Sequence, residues 1–130
     1  MNFKILKNLV LLFLMLWIIP VYALNIHVAT NGTDTNNGTK SKPLLSIEAA
    51  QKKLKASGRI GKEPCKIIIH QGVYRLTTPL RLTTEDGGSE KYPVVYCAAD
   101  QEEVVLTGAQ LLSSEWEVYK DGIYRTQVGD

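Results

Sequence analysis

Cysteine is scarce in this 130-residue chain, with two residues, and proline is limited to five. Two cysteines exclude a miniprotein held by a disulfide framework. So little proline, with ten glycines, excludes collagen-like and proline-rich extended chains. Charge of one sign is also lacking. Lys and Arg number 15 against 13 Asp and Glu. Two of the basic residues, Lys4 and Lys7, fall in the N-terminal segment, so the remainder is formally neutral. That balance speaks against nucleic acid as a partner, since such binders show a basic excess or stripe.

Only one long apolar run exists. Leu9 to Ile19 follows Lys4 and Lys7, ends at Pro20 and is followed by Val21-Tyr22-Ala23. A short positive region, an apolar stretch and a small residue before the cut are the layout of a secretory signal. The run is shorter than the roughly 20 residues a spanning helix needs. Residues 1–23 are therefore read as a signal peptide cleaved between Ala23 and Leu24. The mature chain is expected to be secreted, periplasmic or at the cell surface, with no membrane segment after signal removal.

The mature sequence opens with Leu24-Asn-Ile-His-Val-Ala29, an alternating, β-branched strand pattern. Thr30 to Lys42 has the Gly, Asn, Asp and Thr content of a loop. Ser46 is placed to cap a helix from Ile47 to about residue 57, with Ile47, Ala50 and Leu54 on one face and Gly58 as the stop. After Gly61 helical spacing disappears. Strands are expected at 66–70, 73–76, 80–83, 94–98, 104–107, 115–119 and 123–128, with a polar loop at 85–91. Gly72-Val-Tyr-Arg75 recurs as Gly122-Ile-Tyr-Arg125, and Ile67 to His70 resembles Val94 to Cys97. Such spacings would suit successive turns of a solenoid, and chance accounts for them equally well.

Taken in order, these segments resemble the N-terminal part of secreted right-handed parallel β-helix proteins, the pectate-lyase-like superfamily of glycoside hydrolases and polysaccharide lyases. The residues carrying the resemblance are the strand and turn Ile26 to Thr39 and the Pro-initiated helix Lys42 to Ala50. Further pieces are Ile67 to Arg75, Pro93 to Ala99, Val104 to Gly108, and Trp116 with Gly122 to Arg125. The resemblance implies a mainly β fold. An N-terminal cap (24–61, a short strand and one helix) would precede the first two to three coils of the β-helix (62–130). Members of the superfamily run to several hundred residues, so the chain reads as a truncated piece, itself inactive, of a protein whose partner is a polysaccharide or glycan. Two alternatives stay open: a non-enzymatic adhesin or carbohydrate-binding solenoid, and a complete small secreted β-domain.

Residues able to do chemistry each have a plainer reading. Asp34-Thr-Asn-Asn-Gly38 resembles the start of a calcium loop, but position 45 is Leu where the EF-hand pattern needs Glu. An Asx-rich turn accounts for the same residues, and no cofactor is expected. Asn31-Gly-Thr33 and Asn37-Gly-Thr39 are glycosylation sequons, meaningful in a eukaryotic source. His27 and His70 lie in strands with no third ligand at metal spacing and are read as structural. Stacking Ile67 beside Val94 would set Cys97 beside His70 and leave Cys65 about 16 Å off register, beyond disulfide reach. Both thiols are expected free and largely buried. The carboxylates form groups at Glu85/Asp86, Glu102/Glu103 and Glu115/Glu117/Asp121. Glycoside hydrolysis needs two carboxyl groups about 5–9.5 Å apart across the scissile bond. Glu102 and Glu103, adjacent in an extended stretch, cannot both face one site, whereas Glu115 and Glu117 could in a strand. Solvated edge charges explain all three groups, so the catalytic residues stay unassigned.

Overall fold

The structure, a computed structural model, describes residues 23–112 and 115–128. Apart from Ala23, the expected signal peptide lies outside them. The described chain is mainly β, with one α-helix and short sheets. Strands β1 (Leu24–Val28), β2 (Cys65–Ile69) and β4 (Val94–Ala98) form a parallel sheet in the order β1-β2-β4. A second parallel sheet pairs β3 (Gly72–Arg75) with β5 (Val104–Thr107). Helix α1 spans Ile47–Ala56. Strands β6 (Glu117–Lys120) and β7 (Ile123–Arg125) form an antiparallel hairpin. Among the described residues no helix is long and apolar enough to cross a membrane.

Helix α1 forms as its sequence dictates. The Ser46 hydroxyl accepts the Ala49 amide at 3.1 Å, satisfying a donor that the first turn leaves without a partner. Glu48 sits in the positive first turn, and Lys53 and Lys55 in the negative last turn. Ile47, Ala50 and Leu54 face inward and are fully buried. Burying a side chain the size of Leu54 contributes about 1.5–3 kcal/mol.

The core runs through the sheet in columns. Ile26, Ile67 and Tyr96 stand opposite one another, as do Val28, Ile69 and Ala98, the last of which is exposed. His27, Ile68 and Cys97 form the intervening column on the other face. Loop 30–44 folds back on the free edge of β1. His27 N–H donates to Gly38 O, Leu44 N–H to His27 O, and Ala29 N–H to Leu44 O, at 2.8–2.9 Å. Backbone groups that would otherwise invite a foreign strand are thereby paired. Burial fades at the opposite end. Tyr74 is 7% exposed, while Leu106, opposite it on β5, is 46% exposed. Tyr96 keeps its hydroxyl buried without a partner.

Several expectations change. Residues 80–83 are not a strand; they lead into a 3-10 turn at Thr84–Asp86. Ile67 pairs with Tyr96, not Val94, so the register is two residues from the expected one. A two-residue slip keeps every side chain on its own face, so the apolar alternation fits both registers. Cys97 stands opposite Ile68 on the outer face and is only half-buried, whereas Cys65 points inward and is buried. Both are free, and Cys97 is three residues beyond the partner of Cys65, about 10 Å along the strand. The two Gly-x-Tyr-Arg segments are not equivalent: the first pairs in parallel with β5, the second lies in the hairpin.

Candidate functional site

Two corners and a loop bring together residues far apart in sequence. His27 projects from the outer face of β1. His70 follows β2, and its N–H continues the ladder to Val28 O at 2.8 Å. Gln71 and Gly72 then turn the chain into β3. Gly72 holds φ +145, and a Cβ there would lie 2.6 Å from Thr30 Cγ2, so only glycine lets this corner pass loop 30–44. The matching corner after β4 carries Glu102, whose N–H closes a turn on Ala99 O.

The side chains form a line. His27 Nδ1 lies 3.1 Å from His70 Nε2. His70 Nδ1 lies 3.1 Å from both oxygens of Glu102. Glu102 Oε2 also accepts the Gln71 backbone N–H at 2.6 Å. The imidazole centroids are 5.3 Å apart at an interplanar angle of 19°. With the short N···N contact, this describes nearly coplanar rings joined edge to edge.

Proton positions follow from partner chemistry. The Gln71 amide, then His70, hold the Glu102 carboxyl below its ordinary pKa, aided by Lys40. An ionised Glu102 only accepts, so His70 Nδ1 is assigned the proton and His70 Nε2 accepts. His27 Nδ1 must then donate, leaving its Nε2 as the proton-accepting end of the line. Burial, followed by His70 and Lys40, pushes the His27 pKa down.

Beside this line lies an open cleft of about 470 Å³. Its polar lining is Thr30, Asn31, Lys40, Ser41, His70 and Gln71. Among the described residues, no carboxylate and no aromatic ring other than the imidazole lines it.

The remaining sequence candidates go elsewhere. Asp34 accepts the N–H groups of Leu45 and Ser46 and the Ser46 hydroxyl at 2.8–2.9 Å. Burial pushes its carboxyl up, but the Ser46 and Leu45 donors outweigh this and hold it low. Its oxygens thus tie the loop to the helix start. Asn37 accepts from Thr39, as in an Asx turn. Asp86 is buried, bonded to Thr83 and Gln51 and ion-paired with Lys55 at 2.9 Å. Glu103 lines a separate groove with Val73 and Val105. Glu117 pairs with Arg125 at 2.6 Å, and Glu115 precedes the strand that would have put the two on one face. Among the described residues no three His, Cys, Asp or Glu side chains form a metal cluster.

Sequence reasoning placed His27 and His70 in strands but missed their mutual bond and the role of Glu102. The signal is three-dimensional: the register sets His70 diagonal to His27, and the β4–β5 corner delivers Glu102.

No protein-family model matches the chain. It is 28% identical over 92 residues to the uncharacterized protein YwoF of Bacillus subtilis (strain 168), covering 71% of this chain and 17% of that one. A solved glycoside hydrolase superposes with a TM-score of 0.65 at 28% identity, over 76% of this chain and 17% of the other. A solved structure of XylC in complex with xylose gives 0.60 at 31% identity, over 78% and 14%. The chain thus spans about one sixth of the length of the proteins it matches. These neighbours support a carbohydrate-active fold.

Proposed function

We propose that this chain forms the opening section of a larger, exported protein that acts on polysaccharide, built as a right-handed parallel β-helix. The likeness to the glycoside hydrolase carries the reading. The xylose complex of the second neighbour adds to it. Two stacked strand–corner–strand units, Cys65–Arg75 and Val94–Thr107, support the solenoid form, since each pairs with the other in parallel at both strands. The fading burial toward β4 and β5 supports further coils beyond them, because an open stack exposes apolar side chains and unpaired backbone. The apolar leader with its cut after Ala23 is the basis for export.

Catalysis belongs to later coils in this reading. Among the described carboxylates, Glu102, Asp86, Asp34 and Glu117 are engaged by His70, Lys55, Ser46 and Arg125. None of these four lines the cleft beside the imidazole pair.

The test uses the native secreted product, captured with an antibody to residues 24–61 and incubated with xylan and polygalacturonate. Release of new reducing ends is expected. Unsaturated ends on the products would mark a lyase, their lack a hydrolase. A product that retains glycan without cleaving any would replace the enzyme reading with the adhesin reading.

A further inference from the structure

We propose that the cleft between loop 30–43 and the His70–Gln71 corner binds a small oxyanion, and that the adjoining imidazole pair ties its occupancy to pH. The lining carries one fixed cation, Lys40, and no carboxylate. Thr30 and Ser41 add hydroxyl donors, and Asn31 and Gln71 add amide donors. A set of donors around one ammonium suits a carboxylate or sulfate oxygen. Among the described residues, the lining offers no aromatic face other than imidazole on which a neutral sugar ring could stack. The volume of about 470 Å³ admits a monosaccharide acid or anything smaller. The walls are anchored: Gln71 N–H is bonded to Glu102, Gly72 passes close against Thr30, and Pro43 O is held by Asn36 at 2.8 Å.

The carboxylate bonded to two lining residues of the cleft, His70 and Gln71, is already engaged. Glu102 directs both oxygens to His70 and one to Gln71 N–H. The charged groups acting on the imidazole pair are therefore Glu102, from the β4–β5 corner, and Lys40, from the loop. Lys40 opposes protonation of His27. An anion bound to Lys40 offsets that repulsion, so binding draws a proton onto the pair. By reciprocity, a protonated pair strengthens anion binding.

The oxyanion could belong to an acidic sugar or be free in solution. The first source rests on the carbohydrate reading above; the second does not. Calorimetric titration of the full chain with sodium acetate, sodium glucuronate and glucose, at pH 6 and pH 8 in two buffers of different ionisation enthalpy, separates them. Affinity about fivefold higher at pH 6, with net proton uptake, is expected. Equal binding of acetate and glucuronate assigns a free oxyanion; binding of glucuronate alone assigns an acidic sugar. Lys40→Gln, an exposed substitution, should weaken binding about fivefold or more without moving the melting temperature. His27→Gln should keep binding but show a weaker pH dependence. The proposal is overturned if neither salt binds, if glucose binds as well as glucuronate, if Lys40→Gln binds like the parent, or if affinity is the same at both pH values.

Discussion

His27 and His70, 43 residues apart, share a hydrogen bond of 3.1 Å between Nδ1 and Nε2. Parallel pairing of β1 with β2 makes that contact, and Glu102 fixes its polarity from the next unit. The line crosses three successive layers of the structure, so its titration reports on their stacking.

Stability should fall on the acid side in two stages. The His27 pKa in the folded chain lies below its ordinary 6.5. As pH drops from 7 through that lowered value, the unfolded chain binds more protons than the folded one, and stability declines. The Glu102 carboxyl lies below its ordinary 4.5, so its contribution is complete above that pH and is lost as pH falls through the lower folded value. Urea denaturation between pH 7.5 and 3.5 checks this. His27→Gln should flatten the upper stage and Glu102→Gln the lower. Unchanged profiles in both variants would contradict the arrangement.

Asp86 latches the segment between β3 and β4 onto the helix. Burial pushes its carboxyl up, but Thr83, Lys55 and Gln51 together outweigh that and hold it well below the usual carboxylate range. Its contribution is therefore present above the ordinary carboxylate pKa and survives until strongly acid pH. Asp86→Asn should lower the denaturation midpoint at neutral pH and speed amide exchange across 80–93. Exchange confined to its parent rate would show that the latch is not what orders that segment.

At the helix start, Ser46→Ala removes an N-cap and a partner of Asp34 together. A loss of about 1 kcal/mol is expected. Asp34→Ala, which frees the Leu45 and Ser46 amides, should cost a similar amount. The double variant should lose less than the sum, because Ser46 Oγ bonds Asp34 directly at 2.8 Å.

Gly72→Ala should destabilise by about 1–3 kcal/mol, combining its φ of +145 with the clash against Thr30. Adding Thr30→Gly removes the clash and should recover only the steric part. Full recovery would place the whole cost in packing, and no recovery would place it in the backbone.

Thiol labelling checks which face of the sheet each cysteine occupies. Burial pushes the Cys65 thiol up. Cys97, half-buried on the outer face, should react with a maleimide in the folded chain, and Cys65 only after unfolding. Equal protection of both would favour a different placement of β4.

The sequence declares some of this structure openly. Helix α1 is legible because Ser46, the spacing of Ile47, Ala50 and Leu54, and Gly58 all agree, and the observed helix Ile47–Ala56 matches. Strands β1, β2, β4 and β5 are legible from β-branched alternation. Strand register is not, since Ile67 fits inward opposite Val94 or Tyr96 alike. Leu80 to Thr83 reads as a strand in isolation, yet Asp86 draws the following turn onto Gln51 and Lys55 instead. Glu102 reads as an edge charge because its partner His70 lies 32 residues earlier. The cleft was equally hidden, since Lys40, Asn31 and Gln71 carry no pattern until the loop folds back on β1.

The intact mass of the native product, captured from its source, tests the central claim most directly. The account predicts a mass several times that of residues 24–130, because the matched segment makes up only 17% of each of two matched relatives. A mass equal to residues 24–130 would contradict it and leave a small β-domain that folds alone.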